Sequence, residues 1–242
     1  MNPVRLSALF IALPLLFATA AQAHGLWTEQ RRGHTEVVFG EGAEDDAFEP
    51  AAVKAGWAWA ADAKAVPLTI ERLTDHARLA PASPAAITAV EFDAGVWSET
   101  KDGRWENKGR KEIKDAKQSM QATKYTIALN GPYQQLPKLD QLGLVIVPEV
   151  DPATLKPGQA LPVKVLSAGK PMADVDVFAD YRGAPGTVSG KTDANGRVSI
   201  TIRNEGLNVL AAEALVPVKG DNNIDSYAYF ASLTFVGARH AE

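Results

Sequence analysis

Six short runs in the second half of the chain alternate apolar and polar residues, and turn formers separate them: 144–147, 161–166, 175–179, 198–202, 208–215 and 227–235. Period-two alternation sends successive side chains to opposite faces, so each run predicts a strand with one face buried. Strands this short and this regularly spaced describe an antiparallel β-sandwich of the immunoglobulin-like kind. The turn Thr192-Asp193-Ala194-Asn195-Gly196 fits between two of them; it lacks the later glutamate of a calcium loop. Asp221-Asn222-Asn223 and Asp225 read as a polar loop.

The first half is also β-rich. Leu26 and Trp27 open an apolar stretch that stops at Gln30-Arg31-Arg32-Gly33, and Thr35 to Phe39 resumes it, which predicts a hairpin turning at Gly33. His34 and Glu36 then share one face. Gly40-Glu41-Gly42-Ala43-Glu44-Asp45-Asp46 packs four carboxylates into seven residues. Further strands are expected over 54–60, with Trp57 and Trp59 on one side, over 66–73 after a turn at 62–64, and over 87–92. Lys101-Asp102-Gly103 marks a hairpin turn. His76 falls in a polar turn, where a surface histidine is the ordinary reading. Residues 116–129 lack a clean stripe and read as helix leading into strand. The basic cluster Lys108, Arg110, Lys111, Lys114 and Lys117 is offset by Glu112 and Asp115, a solvated face. Residues 136–141 form the expected boundary between an N-terminal β-rich domain (24–140) and a C-terminal immunoglobulin-like sandwich (141–242). The fold class is therefore mainly β, with two antiparallel sandwich-like domains.

Residues 1–23 read differently. Arg5 gives a positive start, 9–18 is apolar apart from Pro14, and Ala21-Gln22-Ala23 is an A-x-A site, the pattern of a cleaved secretory leader. The apolar run is too short to span a bilayer, which takes about 20 residues, and no later stretch is apolar enough. An exported, periplasmic chain of 219 residues starting at His24 is expected. Removing Arg5 leaves 24 basic against 29 acidic side chains, which argues against a nucleic-acid partner, since that needs a concentrated basic face. There is no cysteine, so thiolate metal sites, iron–sulfur clusters and a cysteine nucleophile are ruled out.

Cleavage after Ala23 fixes the chemistry of His24. Its new α-amino group, with a pKa near ~7.7–8.0, is partly deprotonated at neutral pH and sits on the same residue as an imidazole. Amine nitrogen and Nδ1 close a six-membered ring on a metal, a nitrogen pair that suits Cu(II) and Ni(II). A loop following the second strand of a hairpin lies where the first strand begins, so a carboxylate of 40–46 is in position to complete the coordination.

The leader ending at His-Gly-Leu-Trp, the hairpin into Gly40-Glu41-Gly42-Ala43-Glu44-Asp45, the Trp97 to Trp105 hairpin, Gly169-Lys170-Pro171-Met172-Ala173-Asp174 and Thr192 to Gly196 together resemble the DUF4198 proteins, over essentially the whole mature chain. The C-terminal half alone also resembles carboxypeptidase regulatory-like modules. The resemblance implies a periplasmic component of nickel or cobalt uptake with His24 as ligand. Some members of the family carry histidine where this chain has Glu41. The expected metal residues are His24, Glu41 and His34, with Glu44 and Asp45 as orienting or capture groups. The ion is Ni, Co or Cu, and the partner a membrane metal uptake transporter. Two other readings stand beside this one. A copper oxygenase also begins with histidine but needs a second imidazole, and only His34, His76 and His240 remain; the non-enzymatic reading is preferred. A non-catalytic adhesion or carbohydrate-binding module would present Trp57, Trp59, Trp97 and Trp105 on its surface.

Overall fold

The computed structural model describes residues 24–238, so the leader expected over 1–23 and His240 lie outside the described residues. The first half holds β1 (Gly25–Arg31), β2 (His34–Gly40), β3 (Val53–Trp59), β4 (Ala65–Val66), β5 (Leu68–Arg72), β6 (Ala77–Pro81), β7 (Ile87–Glu99), β8 (Trp105–Glu106) and β9 (Gln118–Leu129). The second holds β10 (Val145–Pro148), β11 (Ala160–Ser167), β12 (Lys170–Pro171), β13 (Asp176–Phe178), β14 (Gly190–Lys191), β15 (Arg197–Thr201), β16 (Leu207–Pro217) and β17 (Ser226–Val236). Two single-turn 3-10 segments, Pro50–Ala52 before β3 and Pro152–Thr154 before β11, interrupt the run of strands. The protein is mainly β, and its sheets pack as a sandwich.

The sandwich has three layers. The central sheet runs β14-β13-β16-β17-β9-β7-β3-β4, with β8 beside β7. One outer sheet is β1-β2-β6-β5; the other is β10-β11-β12, with β15 paired to β11. Alternation along the central strands feeds two cores at once. Ile87, Ala89, Ile127, Leu129, Leu233 and Phe235 pack with Leu144, Ile146, Leu161 and Val163 toward the β10-β11 sheet. Val90, Phe92, Val209, Ala211 and Phe230 pack with Leu26, Trp27, Val37 and Val38 toward the β1-β2 sheet.

The boundary expected at 140/141 falls in the connection before β10, yet strands from both sides of it share the central sheet. They meet where β9 and β17 pair in parallel, from Met120 opposite Ser226 to Leu129 opposite Phe235. The other strand pairs among the described residues are antiparallel, as expected within each half, and the parallel pairing is confined to the join between the halves.

Two expectations are corrected. Of the helix leading into strand expected over 116–129 only the strand is present, over 118–129: β9 is flanked by β7 and β17, and the buried Met120, Tyr125 and Ile127 gain more from that pairing than local helix preference offers. The run 66–73 is broken at Pro67, which has no N–H to give a ladder. There the chain leaves β4, paired to β3 in the central layer, and enters β5, paired to β6 in the outer one.

Candidate metal centre

The β1–β2 hairpin sets the geometry. Arg32 and Gly33 both take positive φ, 49° and 85°, the two-residue turn whose twist matches the strands. Its register runs from Arg31 opposite His34 at the closed end to Gly25 opposite Gly40 at the open end. His24 therefore enters at the open end beside the acidic loop, while His34 lies six residues away along β2, roughly 20 Å at strand rise. The expectation that His34 joins His24 in one site is corrected by this register.

At the open end the backbone must run tightly. A Cβ on Gly25 would overlap the Tyr181 and Phe230 rings, and one on Gly40 would overlap the Glu44 carbonyl. Gly42 takes φ 62°, a left-handed position that glycine adopts without penalty. The turn is closed by Glu44 N–H donating to Glu41 O at 3.1 Å, and Asp46 N–H then donates to Phe39 O at 2.7 Å. The loop thus doubles back over the start of β1. His24 Nε2 lies 3.0 Å from Asp46 Oδ2, with both side chains 45% exposed. Ligand atoms of His24, Glu44 and Asp46 lie within 4.8 Å of one another. The imidazole stacks on Phe39 at 5.1 Å and 8°, and Phe39 stacks in turn on Phe92. One imidazole and two carboxylates, held on an aromatic column and open to solvent, are a nitrogen and oxygen donor set of the kind late first-row divalent ions accept.

Beneath this surface the layer is charged. Lys124 is buried, with Nζ 5.3 Å from the Phe230 centroid and 5.9 Å from that of Phe39. Loss of solvent pushes its ammonium down to about 8, against the pull of Glu213. Burial pushes the Glu213 carboxyl up, opposed by Lys124 and reinforced by Asp176 and Glu41. Burial, Glu213, Glu41 and Glu44 raise the Tyr181 hydroxyl, while a backbone hydrogen bond at Gly25 acts the other way.

Of the residues expected from the sequence, His24 and Glu44 come together. Glu41 follows Gly40 directly, but its charge acts on Tyr181 and Glu213, and it is not one of the three gathered groups. Asp45 is turned to Arg31, which it holds in an ion pair. Asp46 stands where Asp45 was expected, and sequence reasoning passed over it: two adjacent aspartates in one loop carry no mark of which one faces the histidine. A copper oxygenase's second imidazole is not among the gathered groups. Of the tryptophans proposed as a surface platform, Trp59 is buried and Trp57, Trp97 and Trp105 are partly buried. Asp193 Oδ1 accepts from Asn195 N–H and Arg197 N–H at 2.8 Å each, which closes the 192–196 turn. Among the described residues no helix is long and apolar enough to cross a membrane.

No curated protein matches the chain. A solved structure described as fibronectin(III)-like modules of Clostridium thermocellum CbhA is similar to it at 11% identity and a TM-score of 0.26, over 92% of this chain and 96% of that one. The family described as "Domain of unknown function (DUF4198)" matches residues 21–215. With the match running from residue 21, through the His24 hairpin and into β16, this chain belongs to the DUF4198 family.

Proposed function

We propose that the exported chain binds a divalent transition metal, Ni(II), Co(II) or Cu(II), through the mature N-terminal His24, as a periplasmic accessory that passes the ion to a membrane uptake transporter. The observation that carries this reading is the folding of the acidic loop back onto His24, which gathers Glu44 and Asp46 within 4.8 Å of its ring. With the α-amine and Nδ1 holding the ion as a chelate, Nε2–H is left to donate to Asp46, 3.0 Å away. A carboxylate on the free ring nitrogen orients a metal-bound histidine and raises its basicity. Glu44, gathered with the same ring, is the carboxylate offered to the ion. The net charge of −5 after removal of the leader draws cations toward the chain.

The test is calorimetric titration of Ni(II) and Cu(II) into the mature protein, into His24→Ala, and into a form with one extra residue before His24. Both alterations should weaken binding at this centre by at least about tenfold, since each removes one arm of the chelate. Affinity unchanged in either form ends the proposal.

A further inference from the structure

Next to the His24 centre, with Asp46 as part of its wall, lies a cavity of about 610 Å³. Glu36 on β2 and Arg78 on β6 face each other across the strand pair, and Arg78 Nε donates to Glu36 Oε1 at 2.6 Å. That contact uses one carboxylate oxygen. The other, Oε2, is shut away from solvent and accepts no hydrogen bond, in a residue only 7% exposed. A buried charged oxygen is costly unless a donor or a cation meets it.

His76 supplies the facing atom. It sits in the turn between β5 and β6, where Leu73 N–H donates to His76 O at 2.9 Å. The same segment is tied to the acidic loop by Phe48 N–H donating to Asp75 O. Its Nδ1 lies 2.7 Å from Asp75 Oδ1, and its Nε2 lies 3.8 Å from Glu36 Oε2. A carboxylate at Nδ1 favours the tautomer with the proton on that nitrogen, which leaves Nε2, the ring nitrogen nearer Glu36 Oε2, free to bind an ion. The gap between Nε2 and Oε2 suits an ion. Metal bonds of ~2.0–2.2 Å to imidazole nitrogen and carboxylate oxygen span it at roughly 130° with neither atom moved. A small rotation of the His76 ring, which is 39% exposed, brings the angle toward tetrahedral. His34 lines the same cavity but is not gathered with this pair.

We propose that Glu36 and His76 form a second divalent transition-metal site, with Asp75 orienting the imidazole and Arg78 anchoring the carboxylate. This site shares no ligand with the chelate at His24 and does not rest on that reading. The Arg78 charge beside Glu36 lowers its affinity for a cation, so it is the weaker of the two.

The experiment titrates Co(II) into mature His24→Ala protein, following visible absorption and heat. One equivalent is expected to bind there. It should be lost in His24→Ala/His76→Ala, and Asp75→Asn should weaken it about 10–100-fold. The His76 ring signals in NMR spectra should shift with the same equivalent of Zn(II). No binding to His24→Ala, or binding that survives His76→Ala, overturns the proposal. Should His76→Ala lower the metal-free melting temperature, the Asp75→Asn titration and the His76 ring signals decide the matter in its place. Failure of the His24 chelate would show instead as an unchanged stoichiometry between wild type and His24→Ala.

Discussion

The two outer sheets cover opposite faces of the same central sheet, and the chemistry beneath them differs. Under the β10-β11 sheet the contact is dry: Leu142, Leu144, Ile146, Leu161, Val163 and Ile200 are at most 1% exposed, and no charged side chain is buried among them. Under and within the β1-β2 sheet lie Glu36 and Lys124, the charged residues buried below a tenth exposure among the described residues, with the Glu213 carboxylate acting on Lys124. Both layers obey the same alternation of strand faces, and both bury large apolar side chains. One spends that burial on stability alone. The other also holds charged groups out of water, which needs fixed partners and carries a cost. His24, His34 and His76 all stand on or beside the strands of the outer sheet over that charged layer.

The comparison is broken most severely if the dry layer proves to matter for metal. Ile146→Ala removes a fully buried side chain from the β10 strand and should cost about 2–5 kcal/mol of folding stability. Metal affinity measured well below the melting temperature should not change. A fall in affinity alongside stability would mean that the two outer layers are coupled through the central sheet.

A somewhat smaller effect tests the charged layer from within. Lys124 has an ordinary value of 10.5 and is pushed down to about 8. Below about pH 8 it is charged in folded and unfolded chains alike, and the folded state bears the full cost of burying it. Between about 8 and 10.5 the folded chain has released its proton while the unfolded chain still binds it, so stability rises with pH across that window. The rise is on the order of 3 kcal/mol, trimmed because Glu213 loses its counter-charge as Lys124 discharges. Urea unfolding at pH 7, 9 and 10 should show the rise in wild type and none in Lys124→Met. An equal rise in the variant would place its source elsewhere.

How much of this was legible in the chain differs by layer as well. The six alternating runs of the second half are all strands to within a few residues, because a face buried against one partner leaves a period of two in the sequence. β6 left no such trace: Ala77-Arg78-Leu79-Ala80-Pro81 is short, small and ends in proline. β9 misled because its identity as a strand comes from β7 and β17, and the latter is about a hundred residues distant. The turn at Arg32 and Gly33 was legible, and with it the register that puts His34 opposite Arg31; drawing that register out would have separated His34 from His24 at once. The choice of Asp46 over Asp45 was not legible, since it depends on Gly42 turning left-handed and Asp46 N–H reaching Phe39 O. The facing of His76 and Glu36 was equally hidden, since it needs β6 to lie beside β2.

The smallest and most discriminating effect separates the adjacent aspartates. Asp46 faces the His24 ring, whereas Asp45 is turned away to Arg31, which also pairs with Glu29. Asp46→Asn keeps the shape of the side chain but weakens its hold on Nε2–H, and removal of such an outer partner costs about 10–100-fold in metal affinity. Asp45→Asn breaks a half-exposed ion pair worth about 0–1 kcal/mol, and Arg31 keeps Glu29, so metal affinity should move less than about threefold. Calorimetry on the two variants at one pH and ionic strength makes the comparison. Equal losses would show that the loop acts by its summed negative charge, which Asp45 and Asp46 carry alike, and high salt should then erase both. A loss confined to Asp46→Asn that persists in high salt is the signature of one carboxylate holding one ring.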